Sequence, residues 1–188
     1  MRTIRLLSIL LLAGCASSSK ISTIEAFRDA RERGDTKAMM SYPAPGARMW
    51  FDKREGAGML LGETDEWRHW DTYFHGHSQL YDWNVDGNVV TAMGRETNDF
   101  YRLTEWNAPP FRMTWWLDDQ QRITAILFQP LGEPKSRFDE VKAWMKEHHP
   151  DELAYLMPKG HIDPTGDRPE RWKTLLEEWR KGLATPAK

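Results

Sequence analysis

The chain has 188 residues, a length that fits one domain, and its ten tryptophans supply ample apolar area for a core. The formal net charge is −2 with both signs interspersed, so the basic footprint of a nucleic-acid-binding protein is missing. Cys15 is the single cysteine, which leaves no thiol elsewhere in the chain for nucleophilic catalysis.

The N-terminus reads as a targeting segment. Arg2 and Arg5 form a positive start, and Leu6 to Leu12 is an apolar run far too short to span a bilayer. The run closes on Leu12-Ala13-Gly14-Cys15, which resembles the lipobox of bacterial lipoproteins. The resemblance implies cleavage before Cys15, lipidation of that residue and a membrane anchor. An ordinary signal peptide with a chance cysteine is the alternative. Ala16 after the cysteine points, by the same resemblance, to the periplasmic side of an outer membrane. Residues 1–14 are then signal peptide and residues 15–22 a polar tether.

The first helix is expected from Ile24 to about Arg33, with Ile24, Phe27 and Ala30 on one stripe. Gly34 stops it, and Asp35 caps a short second helix over Thr36 to Ser41. A short strand follows at Arg48 to Asp52. Thr64-Asp65-Glu66 opens another helix, on which Trp67, Trp70, Asp71 and Phe74 share a face until Gly76. A meander of strands comes next: Gln79 to Val85, Asn88 to Thr104, Phe111 to Leu117 and Arg122 to Phe128. Asp86-Gly87 is expected to turn the first hairpin as a type I′ turn. Helices return at Ser136 to His149, Pro150 to Met157 and Arg168 to Gly182, the last with Trp172, Leu175, Leu176 and Trp179 as its apolar stripe.

Helices, then long strands, then helices make an α+β layout. The order resembles the NTF2-like (SnoaL-like, cystatin-like) cone fold. The Phe27…Gly34-Asp35 helix pair, Trp67-Arg68-His69-Trp70-Asp71, Glu96-Thr97-Asn98-Asp99-Phe100-Tyr101 and the strand from Arg122-Ile123 to Pro130 carry the likeness. It implies a curved antiparallel sheet wrapped on the N-terminal helices over residues 23–134, with residues 135–188 as a helical extension packed on the same domain. It also implies a pocket inside the sheet. Family enzymes such as ketosteroid isomerases and polyketide cyclases use a carboxylate base there, whereas other members only bind or scaffold.

Asp71, set among Trp67, Trp70 and Phe74, is the first candidate base, because apolar surroundings raise a carboxyl pKa. Glu96 is the second, sharing a strand face with Asn98 and Phe100. Trp70, Asp71, Phe74, Glu96, Asn98, Phe100 and Trp115 are therefore expected to line one pocket. Each polar member also has a plainer role open to it, satisfying an arginine or a loose backbone end. Trp115 and Trp116 point to opposite faces of their strand. Asp71 with His75 and His77 is a weak facial metal set, and neither metal nor cofactor is expected. The expected function is binding of a small, partly apolar molecule without turnover. An acid–base isomerase, cyclase or dehydratase and an envelope interaction module are the alternatives, and a homodimer through the sheet is a further expectation.

Overall fold

A computed structural model describes residues 4–133 and 135–184, and the side chains of residues 4–16, 63–67 and 184 lie outside the description. Cys15, the lipidation candidate, and Trp67 are among those undescribed side chains. The architecture is α+β, with a mixed six-stranded sheet ordered β2-β1-β6-β5-β4-β3. Here β1 is Pro43–Phe51, β2 Met59–Leu60, β3 His77–Asp86, β4 Val89–Thr97, β5 Phe111–Leu117 and β6 Ile123–Pro130. Two compact units divide the chain. The first takes the residues up to Glu63 with Leu80–Gly94 and Phe111–Gln129; the second takes Thr64–Gln79, Arg95–Pro110 and the chain from Pro130 onward.

In the first unit, helix α1 (Ile4–Glu32) buries Ile24, Phe27 and Ala30, the stripe its spacing predicts. They pack with Val90, Ala92, Trp115, Leu117, Ile123 and Ile126 from the strands. Fully burying each large side chain contributes roughly 1.5–3 kcal/mol. Gly34 ends α1 in the left-handed region at φ 69°, and the Asp35 carboxylate accepts a bond from the Ala38 N–H at 2.9 Å to start α2 (Thr36–Met39).

Several expectations are corrected here. Helix α1 begins at Ile4 and runs through residues 15–22, so the expected tether is helical. Ser19 and Lys20 reach the sheet: Ser19 Oγ donates to Gln121 Oε1 at 2.5 Å, and Lys20 Nζ donates to the Gly87 carbonyl at 2.6 Å. The sheet is not wholly antiparallel, because β1 runs parallel to β6. Strand β1 starts at Pro43, and a register irregularity between Pro43 and Arg48 accommodates Pro45 and Gly46. The first hairpin turns one residue later than expected. Asp86 stays in β3 and Gly87 takes φ 54° as the first loop residue, the type II′ pattern. Inside β3, Asp82 sits at φ 53°, and the core-facing residues change phase from Leu80 to Trp83 and Val85, as a bulge requires.

The second unit is held by helices α3 (Asp65–Tyr73), α4 (Asp99–Leu103), α5 (Phe138–His148), α6 (Pro150–Leu156) and α7 (Arg168–Ala184). The stripe Trp172, Leu175, Leu176 and Trp179 on α7 is buried, as are Val141 and Met145 on α5 and Leu156 on α6. They enclose Phe100, which meets Trp172 edge-on at 5.7 Å and Trp70 at 5.2 Å. The C-terminal helices are thus the walls of this core and not an addition to a finished one. Among the described residues, no helix is long and apolar enough to cross a membrane.

Candidate functional site

The site grows from two chain segments of the second unit. Trp70 on α3 and Phe74 just past its end turn inward, their rings tilted at 4.6 Å, while Asp71 stays half-buried. The helix ends tightly: the Gly76 N–H donates to the Asp71 carbonyl at 2.6 Å, and a Cβ on Gly76 would come within 3.2 Å of that oxygen and of the Asp71 Cβ. Glycine at 76 lets the chain close on Asp71 and leave the helix at once.

The second segment departs from the long strand expected over Asn88 to Thr104. Strand β4 stops at Thr97, and Asn98, extended at φ −157°, caps α4. Asn98 Oδ1 accepts from the Tyr101 N–H at 2.7 Å. Capping bonds of this kind contribute about 1 kcal/mol, and here the bond decides the local conformation. It sets Glu96, Asn98 and Phe100 off the common strand face. Phe100 goes into the aromatic core, and Tyr101 turns back toward Glu96.

Tyr101 is the centre of what results. Its ring stacks on Trp106 at 5.5 Å. The side chains of Asn98 and Glu96 and the Asp71 carboxylate act on its hydroxyl. Burial, with the two negative charges added, pushes the hydroxyl pKa well above the ordinary tyrosine value. The phenol therefore stays protonated at any physiological pH and keeps its O–H as a potential donor. A neutral O–H donor beside two carboxylates can hold a carbonyl or hydroxyl group, or pass a proton to one.

Of the residues expected to line one pocket, Asp71, Glu96 and Asn98 each act on the Tyr101 hydroxyl. Trp70, Phe74 and Phe100 form the apolar packing beneath, filled against α5 and α7 instead of standing free. Trp70 and Phe74 share one core with Trp172 and Leu176 of α7. Trp115 belongs to the core of the first unit, where it stacks on Trp83 at 5.7 Å. Trp116 points the other way, under the Arg54 guanidinium at 4.4 Å. Sequence reasoning missed Tyr101, which it put on the opposite strand face. The signal was present: Asn98 followed by Asp99 is a capping residue and an acidic first turn.

Beside this cluster, Asp99 gathers cations. His75 Nδ1 lies 2.9 Å away, Arg102 3.1 Å and Lys173 3.8 Å. The His75 bond, then that of Arg102, holds the Asp99 carboxyl below the usual carboxylate range. His75 is thereby committed, and among the described residues no group of three acidic, histidine or cysteine side chains is arranged for a metal. Two shallow depressions lie in the first unit. One, of about 320 Å³, is lined by Asp82, Thr91, Met93 and Arg112; the other, of about 330 Å³, by Thr23, Tyr42 and the turn from Asp119 to Arg122.

No family model and no curated protein matches this chain. Solved structures do resemble it. A candidate polyketide cyclase from Sinorhizobium meliloti is 18% identical, with 57% of this chain and 94% of that one covered and a TM-score of 0.45. SalBIII, an epoxide hydrolase/cyclase-like enzyme in pyran ring formation of the polyether salinomycin, is 9% identical over 61% and 92%, with a TM-score of 0.49. A cystatin-fold protein from Novosphingobium aromaticivorans is 14% identical over 58% and 96%, with a TM-score of 0.42. These are the kinds of protein that the sequence resemblance names. At such identities and TM-scores the likeness carries no argument about activity.

Proposed function

We propose that the protein binds a small, partly apolar molecule carrying a carbonyl or hydroxyl group, and holds it at the Tyr101 hydroxyl between Asp71 and Glu96. The observation that carries this is the largely buried phenol, kept protonated, with Glu96, Asn98 and Asp71 acting on it and its ring stacked on Trp106. Its polar atoms are partnered within the protein, and its aromatic floor is packed. Lipid on Cys15, on the periplasmic side of an outer membrane, would hold the protein in the envelope. Titration with 2-naphthol, followed by tryptophan fluorescence, tests the binding. Saturable quenching is expected, weakened about tenfold in Tyr101→Phe and unchanged in Arg54→Ala. A response that does not saturate, or that ignores Tyr101, would overturn the proposal.

A second reading rests on the same cluster. A phenol that stays protonated can stabilise an enolate oxygen while Glu96 or Asp71 takes the adjacent proton, the chemistry of an isomerase or cyclase. Deuterium exchange into the α-position of a simple cyclic ketone in D₂O, measured by NMR, separates the two. Exchange accelerated by wild-type protein and abolished in Glu96→Gln favours turnover; exchange at the buffer rate favours binding alone.

A further inference from the structure

One end of the sheet in the first unit collects features that none of the preceding functions uses. The β3–β4 turn at Gly87-Asn88 and the β5–β6 turn from Asp118 to Arg122 are neighbours there, joined by Asn88 Nδ2 donating to Asp119 Oδ1 at 3.1 Å. Helix α1 meets the same end. Ser19 bonds Gln121, and Lys20 Nζ donates to the Gly87 carbonyl at 2.6 Å and to Asn88 Oδ1 at 3.0 Å. Ile21, one residue on, already packs against the core. Ser19 and Lys20 thus fasten α1 to this end of the sheet.

Four peptide steps separate Cys15 from Ser19. Even fully extended they span at most about 14 Å, and in a helix about 6 Å. A bilayer-anchored Cys15 therefore leaves the unit little freedom to turn over. We propose that the Gly87-Asn88 and Asp118–Arg122 turns form a membrane-facing surface, held against the lipid headgroups by the short lead from Cys15. The proposal rests on the lipid anchor. The face is polar and mixed in charge, with Lys20 and Arg122 beside Asp118 and Asp119, and Asp118 is paired with Arg122 at 2.7 Å. That composition fits a hydrated headgroup layer and not insertion into hydrocarbon. The opposite end of the sheet is the loop after Phe51. Between them, β6 runs from Ile123, paired with Pro43, to Phe128, paired with Phe51. Five strand steps place that loop roughly 17 Å further from the membrane.

The chain's one cysteine simplifies the test, because lipidation consumes its thiol and leaves the mature protein free for single-site labelling. Asn88→Cys and Lys53→Cys, each carrying a fluorophore, are purified as lipoprotein and placed in phosphatidylcholine vesicles containing a headgroup-labelled acceptor lipid. Energy transfer at position 88 is expected to exceed that at position 53 at least threefold. Inserting twenty Gly/Ser residues after Ser18, a coil of about 25 Å, is expected to remove most of the difference. Mass spectrometry of the N-terminal peptide reports the lipid separately. Acylated Cys15 with equal transfer from both positions would overturn the orientation alone; an N-terminal peptide without acyl mass would overturn the anchor and the orientation together.

Discussion

The two units bury their apolar surface by different means. The first sets a single helix stripe of Ile24, Phe27 and Ala30 on a sheet whose alternation puts Val90, Ala92, Trp115 and Leu117 inward. The second draws rings from scattered segments, with Trp70 and Phe74 from α3, Phe100 from α4, Phe138 from α5 and Trp172 from α7. Sheet packing is periodic, so each residue's place follows from its neighbours. Ring packing is not, and a few large side chains carry most of the burial. The polar cluster at Tyr101 belongs to the second kind. Its geometry depends on a one-turn helix, α4, whose Phe100 is fixed by the rings around it. A site so built is sensitive to core changes that touch none of its polar atoms.

The largest expected effect follows from that sensitivity. Trp172 is fully buried, and its Nε1 has no hydrogen-bond partner, so the side chain stabilises by packing alone. Trp172→Ala is expected to cost about 3–5 kcal/mol. Hydrogen exchange by mass spectrometry will show where the loss falls. Peptides from α4, α5 and α7 should lose protection while those of β5 and β6 keep most of theirs. Equal loss in both sets would mean that the units unfold as one, and the contrast between them would be only architectural.

Legibility in the sequence follows the same division. β5 is found at its expected bounds, and the stripe of α1 lies where its spacing put it, because periodicity reports burial directly. Asp71, Glu96 and Asn98 all act on Tyr101, a residue that strand alternation had set on the other face from Glu96 and Asn98. The change from strand to helix at Asn98 is made by one side-chain bond, which weighs little in a pattern spanning seventeen residues. The role of the C-terminal helices was hidden for another reason. Their apolar stripes were visible, but a stripe does not name its partner. The shift from Leu80 to Trp83 at Asp82 was also hidden, because aspartate in a strand carries no obligatory bulge signal.

Within the first unit, Gly94 gives an intermediate effect that probes periodic packing. It pairs with Phe111 across β4 and β5, and a Cβ there would come within 2.2 Å of the Phe111 ring. The glycine serves this close approach. Gly94→Ala is expected to cost about 1–3 kcal/mol by overpacking, read from urea denaturation. Phe111→Leu in the same chain should recover part of the loss, since the added methyl would meet a smaller side chain. A full 1–3 kcal/mol loss that persists in the double variant would place the strain in the backbone and not in the ring.

The smallest effect concerns charge in the second unit, where Asp99 joins α3, α4 and α7 through His75, Arg102 and Lys173. The bond from His75, then that from Arg102, holds its carboxyl below the usual carboxylate range when the protein is folded. A depressed folded pKa means that the unfolded chain binds the proton more readily. The stabilisation is thus fully present above the unfolded value of about 3.9 and is lost as pH falls through the folded one. Half-exposed ion pairs are weak, so Asp99→Asn is expected to cost roughly 0.5–1 kcal/mol near pH 6. At a pH below the folded value the difference should shrink toward zero, because a protonated aspartate and an asparagine then make similar contacts. Urea midpoints at the two pH values, compared for wild type and variant, measure this. An undiminished difference at low pH would assign the loss to the shape of the asparagine side chain in the first turn of α4, and the cationic collar around Asp99 would then contribute nothing measurable to holding that turn.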